Sequence, residues 1–248
     1  MFKPLFGMNH GAFSNGTVAA AMGQVDGFRG YNAPSAGVPA VWPGNGAGPI
    51  PNGIRKPFIS IRPDITSFNT GALDAQISSY MKLCPPGSFL SLWAEGEAQR
   101  YPWTPEQIVT MHERALWLKF NANPAIWYGQ IAETYAANHR ADFASYICPG
   151  LDYYALDVYP EAAGQPIATT AAKALDAMTG LDSPRIGITE FDPRGASAKF
   201  PDDPSAFSDA WKFAQSEGMF CFMTYMVEPY TTTDLAALKT INHDAQTG

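Results

Sequence analysis

The chain has no apolar run near the roughly 20 residues that a helical bilayer crossing requires, so insertion into a membrane is not expected. Charge is scarce. Asp, Glu, Lys and Arg make up 16% of 248 residues, against about 25% in an average globular domain. What charge exists leans acidic, 16 Lys plus Arg against 23 Asp plus Glu, a net of −7. Scattered cations without a basic stripe exclude nucleic acid as the main partner, because a phosphate backbone needs clustered positive charge. Cysteines number three (Cys84, Cys148, Cys221), with no CxxC and with apolar or Pro neighbours. They read as small core residues rather than zinc ligands or a disulfide framework. The histidines, His10, His112, His139 and His243, make no HxH or HExxH pair, so neither a metal site nor a cofactor is expected. No GxGxxG follows an early strand and no GxxxxGK[ST] occurs, which removes the usual nucleotide cradles. The opening MFKPLFG carries neither a long apolar stretch nor a small-residue cleavage site, so no signal peptide is read.

What is present is core material. Apolar residues reach 46% and aromatics 13%, which excludes general disorder. Eight short runs of strand length recur, at 5–9, 27–32, 57–62, 88–95, 125–132, 151–159, 185–191 and 219–226. From the third onward they begin about every thirty residues, and most are rich in aromatic and β-branched side chains. Helical signals fall between them. Thr104-Pro105-Glu106-Gln107 offers an N-cap, a Pro in the first turn and a Gln at N3. Segments 72–83, 166–178, 203–213 and 232–241 also carry the helical period. Alternating strands and helices imply parallel strands with crossover helices. Eight strands in this length predict a single-domain α/β fold over residues 1–248, a closed (β/α)8 TIM barrel; a doubly wound open sheet is the runner-up. One stretch breaks the alternation, the Gly/Pro-rich 33–53 after the second strand, read as a long loop over the C-terminal rim with Trp42 as its candidate contact.

In a barrel of this kind, reactive groups sit at the C-terminal strand ends. Five of the nine Glu lie there: Glu95, Glu97, Glu133, Glu190 and Glu228. Strand alternation puts Ser91, Trp93 and Glu95 on one face, with Leu90, Leu92 and Ala94 on the other. It groups Tyr153, Ala155, Asp157 and Tyr159, and sets Glu190 on the face of Ile186 and Ile188. Two carboxylates across a cleft are the minimum for glycoside hydrolysis, one protonated and one ionised. Aromatic rings suit the C–H faces of a sugar, and Trp93, Trp127, Tyr128, Tyr159 and Tyr225 lie in or at the ends of the expected strands. Arg29 and Arg62, at the ends of strands two and three, are placed to hold a carboxylate or a sugar hydroxyl, or to make a rim salt bridge.

The order WAEGE, IWYGQIAETY, LDYYALDVYP, ITEFD resembles the second half of a clan A glycoside hydrolase barrel, over roughly residues 57–226. It is most similar to the family 26 β-mannanase-like group. That group pairs an acid/base Glu after strand four with a nucleophile Glu after strand seven. Its D-x-x-x-x-D-x-Y run on strand six is matched by Asp152, Asp157 and Tyr159. The resemblance implies a retaining hydrolase of poly- or oligosaccharides, with Glu190 as nucleophile, Glu95 as acid/base and Tyr159 hydrogen-bonded to the nucleophile. Trp93, Trp127, Asp157, Tyr159, Tyr225, Glu97 and Glu133 form the expected substrate-binding set. The family's His-Glu on strand four is Ala94-Glu95 here, which leaves Glu97 and Glu133 open as acid/bases. It also leaves a rival reading, a glycan-binding or virion or cell-surface structural module with a degenerate site. A sugar-phosphate barrel enzyme ranks last, since only Arg194-Gly195-Ala196-Ser197 suggests an anion site. The expected partner is a carbohydrate and the expected state a monomer. Its glycan target is expected outside the cell, reached by virion delivery or another export route, with a cytoplasmic location as the alternative.

Overall fold

The computed structural model describes residues 3–32, 37–181, 185–195, 198–226 and 229–247. Eight parallel strands close into one barrel in sequence order. They are β1 (Leu5–Asn9), β2 (Gly27–Tyr31), β3 (Lys56–Ile61), β4 (Phe89–Leu92), β5 (Trp127–Glu133), β6 (Tyr153–Val158), β7 (Ile186–Phe191) and β8 (Cys221–Thr224). Closure comes from β8 pairing back on β1, with Leu5 opposite Cys221 and Met8 opposite Thr224. The crossovers are α1 (His10–Ser14) and α2 (Gly16–Met22), α3 (Ile65–Asn69) and α4 (Asp74–Leu83), α5 (Pro105–Ala122), α6 (Thr134–His139), α7 (Ile167–Thr179) and α8 (Pro204–Ser216), with α9 (Thr232–Gln246) after β8. This is the α/β TIM barrel that the strand count predicts. No helix among the described residues is long and apolar enough to cross a membrane.

The longest crossover shows how the local sequence sets an element. Thr104 Oγ1 accepts from Gln107 N–H at 3.3 Å and Gln107 Oε1 accepts from Thr104 N–H at 2.9 Å, so α5 opens on a capping box, with Pro105 in a position that needs no donor. Its buried stripe, Ile108, Met111, Ala115 and Leu118, then packs into the shell between strands and helices. Between β2 and β3 the described residues hold no α-helix, only a 3-10 turn at Asn45–Ala47. Asn32 ties this irregular stretch to the rim: its Nδ2 donates to Pro43 O at 2.9 Å, and its Oδ1 accepts from Gly46 N–H at 3.2 Å.

The barrel interior is split by height. Its lower part is apolar: Phe58, Phe89, Ile131, Tyr153, Ala155, Cys221 and Met223. Phe58 and Phe89 stack with centroids 4.1 Å apart, and Trp127, the first residue of β5, stacks on Phe89 at 6.1 Å. The upper part is polar, with Arg29, Ser60, Ser91, Asp157, Thr189 and Glu190 buried on β2, β3, β4, β6 and β7. The packed floor thus forces every polar group to gather at one end, the C-terminal mouth.

Gly129 makes the floor fit. A Cβ on it would lie 2.3 Å from the Tyr153 carbonyl oxygen and 2.5 Å from the Tyr153 ring. Gly129→Ala is expected to destabilise the barrel by about 1–3 kcal/mol, the usual cost of overpacking. Urea denaturation measures it, and an unchanged midpoint would show that β5 and β6 can part freely.

Candidate active site

Two departures from regular strand geometry aim the acidic side chains. On β7, regular alternation puts Ile188 on the outer face, where it packs in the helix-facing core. Glu190 should then face outward with it. The β6–β7 ladder shifts instead: Leu156 pairs with Ile188, but Asp157 pairs with Glu190, leaving Thr189 as an extra residue. This bulge turns both Thr189 and Glu190 toward the mouth, while Phe191 returns to the outer core. The expectation that Glu190 shares a face with Ile186 and Ile188 is therefore corrected.

After β4 the chain takes left-handed conformations at Trp93 (φ 50°) and Glu95 (φ 60°), which a residue with a Cβ adopts at a cost. They reverse the alternation. Ala94 faces the interior cluster, whereas Trp93 packs outward against Tyr101 and Trp103 and its indole donates to Pro63 O. Glu95 is brought back over the mouth, held by its N–H on Ile131 O at 2.7 Å. Trp93 is thus a buried supporting residue rather than a sugar platform.

Glu190 and Asp157 sit over Arg29, which is fully buried. Arg29 Nε lies 3.8 Å from Glu190 Oε1 and its Nη2 lies 3.7 Å from Asp157 Oδ2. The guanidinium is steadied by Ser60, which accepts at 2.6 Å, and by the Tyr31 ring, 4.5 Å away. The Tyr159 hydroxyl donates to Glu190 Oε2, and Thr189 Oγ1 donates to Asp157 Oδ1 at 2.7 Å. Glu95 meets two arginines, Arg100 in direct contact and Arg62 at 3.9 Å. Arg100 also donates to Glu133 Oε2 at 3.0 Å.

One oxygen from each of Glu95, Asp157 and Glu190 lies within 4.8 Å of the others. Such a trio has the donor set for a cation, but Arg29, Arg62 and Arg100 already bring positive charge to it. Burial raises all three carboxyls above the usual range. Glu190 reaches about 7 despite the pull of Arg29. Glu95 rises because it is buried and faces Asp157 and Glu133, with Arg100 and Arg62 acting the other way. Asp157 rises through burial, with Arg29 and the Thr189 hydrogen bond opposing.

The cleft above these groups has a volume of about 330 Å³ and is lined by Tyr31, Asn32, Arg62, Glu95, Arg100, Glu133, Tyr159, Glu190 and Tyr225. A second hollow of about 280 Å³ shares Arg100, Glu133 and Tyr159 with it and adds Tyr135, Glu161, Lys199 and Phe200. Of the expected site residues, Glu95, Glu133, Tyr159, Glu190 and Tyr225 line the cleft and Asp157 lies just beneath it. Trp127 does not join them. It stands at the N-terminal end of the barrel under the Arg185 guanidinium, because the first residue of a strand starts at the floor. Glu97 is fully buried behind the cleft, its Oε1 accepting from Glu133 N–H at 2.6 Å. Tyr128 points outward to His112, 2.8 Å away, and Trp42 packs on Tyr80 rather than lining the cleft. Glu228, Ala196 and Ser197 lie outside the described residues. Reasoning from the sequence missed Arg100, Tyr31, Asn32 and Thr189. The usable signal for Arg100 was its position five residues after Glu95, one turn of tight chain away.

The barrel is similar in fold to several glycoside hydrolases of known structure. The catalytic domain of a family 26 endo-β-1,4-mannanase from Bacillus sp. JAMB-750 superposes with a TM-score of 0.65 at 10% identity, covering 98% of this chain and 86% of that one. A glucosidase from Croceicoccus marinus gives 0.64 at 11% identity over 98% and 68%. A family 128 endo-β-1,3-glucanase from Amycolatopsis mediterranei, solved with laminarihexaose, gives 0.56 at 12% identity over 96% and 98%. No family model matches the chain. No curated protein matches it either.

The buried Glu97 yields a stability prediction. Burial raises its carboxyl well above the ordinary value, so its folded form is neutral where its unfolded form is charged. A raised group contributes its full stability below the unfolded pKa and loses it as pH rises toward the folded one. Glu97→Gln keeps the acceptor for Glu133 N–H and removes the titration. The variant should gain on the wild type by about 1.4 kcal/mol per pH unit within that window. Urea denaturation at pH 5 and pH 8 measures the difference, and a constant offset would contradict it.

Proposed function

We propose that the protein is a retaining glycoside hydrolase of poly- or oligosaccharides, with Glu190 as nucleophile and Glu95 as acid/base. The observation that carries this reading is the oxygen separation of at most 4.8 Å between the two carboxylates across a cleft wide enough for a sugar ring. Retaining enzymes hold their carboxyls ~5–5.5 Å apart, whereas inverting ones leave ~6.5–9.5 Å for a water. A chain of sugars, rather than a single unit, is supported by the second hollow that continues the cleft past Tyr159.

In the first step a Glu190 oxygen attacks the anomeric carbon. The glycosidic C–O bond breaks, and the departing oxygen takes the proton of Glu95. In the second step a water attacks the same carbon and gives a proton to Glu95, and the ester bond to Glu190 breaks. Arg29 and the Tyr159 hydroxyl stabilise Glu190 as an anion before attack, and Tyr159 keeps the second oxygen fixed. Burial favours the protonated form of Glu95, the state an acid requires, against the pull of Arg100 and Arg62. Asp157 helps to hold that proton through like charge.

A second reading is favoured by Ala94 before Glu95 and by the Arg100 contact on that carboxyl: a glycan-binding module without turnover. A polysaccharide panel with product analysis separates the two, since binding without released sugar decides for the module. Glu190→Gln should lower turnover by at least about 10³-fold while leaving the circular dichroism spectrum unchanged. Wild-type rates in that variant would remove the hydrolase reading. The pH dependence of kcat/KM should be bell-shaped, rising through about pH 7 as Glu190 ionises and falling as Glu95 loses its raised proton. A profile already flat from pH 5 to pH 8 would show that these two groups do not carry the reaction.

A further inference from the structure

Glu95 is surrounded by charge from several elements. Arg62 follows β3, Arg100 follows β4, Glu133 ends β5, Asp157 and Tyr159 belong to β6 and its end, Glu190 to β7, and Tyr225 follows β8. Of the two cations that reach it, Arg100 is in direct contact and half exposed, while Arg62 stands 3.9 Å away. Arg100 is also the cation with a second carboxylate within reach. One nitrogen donates to Glu95 Oε2 and another to Glu133 Oε2 at 3.0 Å. Glu133 is fixed as an alternative partner, because its own N–H is held by the buried Glu97 carboxyl at 2.6 Å. The guanidinium therefore has two anchors of different kind, one a proposed acid and the other a carboxylate with a pinned backbone.

We propose that Arg100 is a positioning residue shared between Glu95 and Glu133, and that its transfer to Glu133 frees Glu95 to carry the proton of the reaction. The proposal deepens the hydrolase reading and rests on it for the role of Glu95. A guanidinium donating to a carboxylate favours the anion, which cannot protonate a leaving oxygen. With Arg100 on Glu133, the burial of Glu95 and the nearby Asp157 favour the protonated form. Arg100 lines both hollows, so a sugar bound in either one lies against it. Glu133 is thereby given a task distinct from acid/base chemistry: it is the place where the arginine waits.

The test reads Glu95 directly and then through turnover. Full-length protein labelled with 13C at the glutamate carboxyls is titrated by NMR, with the Glu95 signal assigned by its loss in Glu95→Gln. In Arg100→Met the Glu95 midpoint should rise by about 1–3 pH units, the size of an ion-pair effect at this range. In Glu133→Gln it should fall, because a like charge is lost and Arg100 is left with Glu95 alone. Arg100→Lys keeps the charge without the fork and should fall between Arg100→Met and the wild type. Midpoints that stay put, or that move the same way in Arg100→Met and Glu133→Gln, overturn the proposal. The alkaline limb of kcat/KM on an oligosaccharide the wild type cleaves should follow the same order. An aryl glycoside with an acidic phenol needs no proton, so its limb should not move. The titration does not depend on turnover: a wild type that cleaves nothing defeats the hydrolase reading, while the NMR midpoints still decide whether Arg100 is shared.

Discussion

Carboxylates cannot crowd the mouth of a dry barrel unless positive charge reaches them, and here it arrives from beneath. Arg29 is enclosed on every side, yet it stands within 4 Å of both Asp157 and Glu190. Removing either acid would leave a buried guanidinium with reduced compensation, and removing the guanidinium would leave two buried acids. The apolar stack of Phe58, Phe89 and Tyr153 below prevents the arginine from sinking, while Ser60 and Tyr31 stop it from turning aside. The rim arginines play a different part. They lie nearer to solvent, reach Glu95 and Glu133, and pack on the Tyr101 ring, to whose hydroxyl Arg62 donates at 3.1 Å.

Much of the fold could be read from the chain, because a parallel strand buried on both faces shows as a short apolar run wherever it occurs. All eight runs became strands, and the Thr104–Gln107 cap began a helix at the expected residue. The short helices α1, α2 and α3 went unread, since five to seven residues hold too little periodicity to register, whereas the helix opened by Glu133 is legible in ETYAANHR and forms as α6. Acidic strand ends could be read as well, and Glu95, Glu133 and Glu190 do converge. Side-chain direction was harder. Alternation assumes an unbroken pleat, and the bulge at Thr189 and the left-handed turns at Trp93 and Glu95 each break it. Both breaks lie at the mouth, where the backbone is bent to deliver a functional group. Trp127 failed for a simpler reason: an aromatic at the start of a barrel strand belongs to the floor and not to the mouth.

Structural likeness at 10–12% identity speaks for the barrel and no further. The chemistry has to be argued from this chain's own groups. Its fourth strand ends in Ala94-Glu95, with Ala94 in the interior apolar cluster and the Glu95 carboxylate met from the rim by Arg100. A guanidinium beside an acid favours its anion, while burial and the neighbouring Asp157 favour the proton, so the environment of Glu95 is set by opposing effects, whatever sugar the cleft receives.

The segment between β2 and β3 is where the outer shell departs from a repeating pattern. Elsewhere each connection is braced by a helix packed against the strands, so any change in length must be accommodated by a whole layer. Here the described residues are tied by side chains: Asn32 bonds Pro43 O and Gly46 N–H, the Tyr80 hydroxyl donates to the same Pro43 O at 2.9 Å, and Trp42 packs on the Tyr80 ring. With no α-helix among its described residues to pack on the strands, this strap constrains the barrel less than the other crossovers do, so a change of length there disturbs the fewest strand contacts.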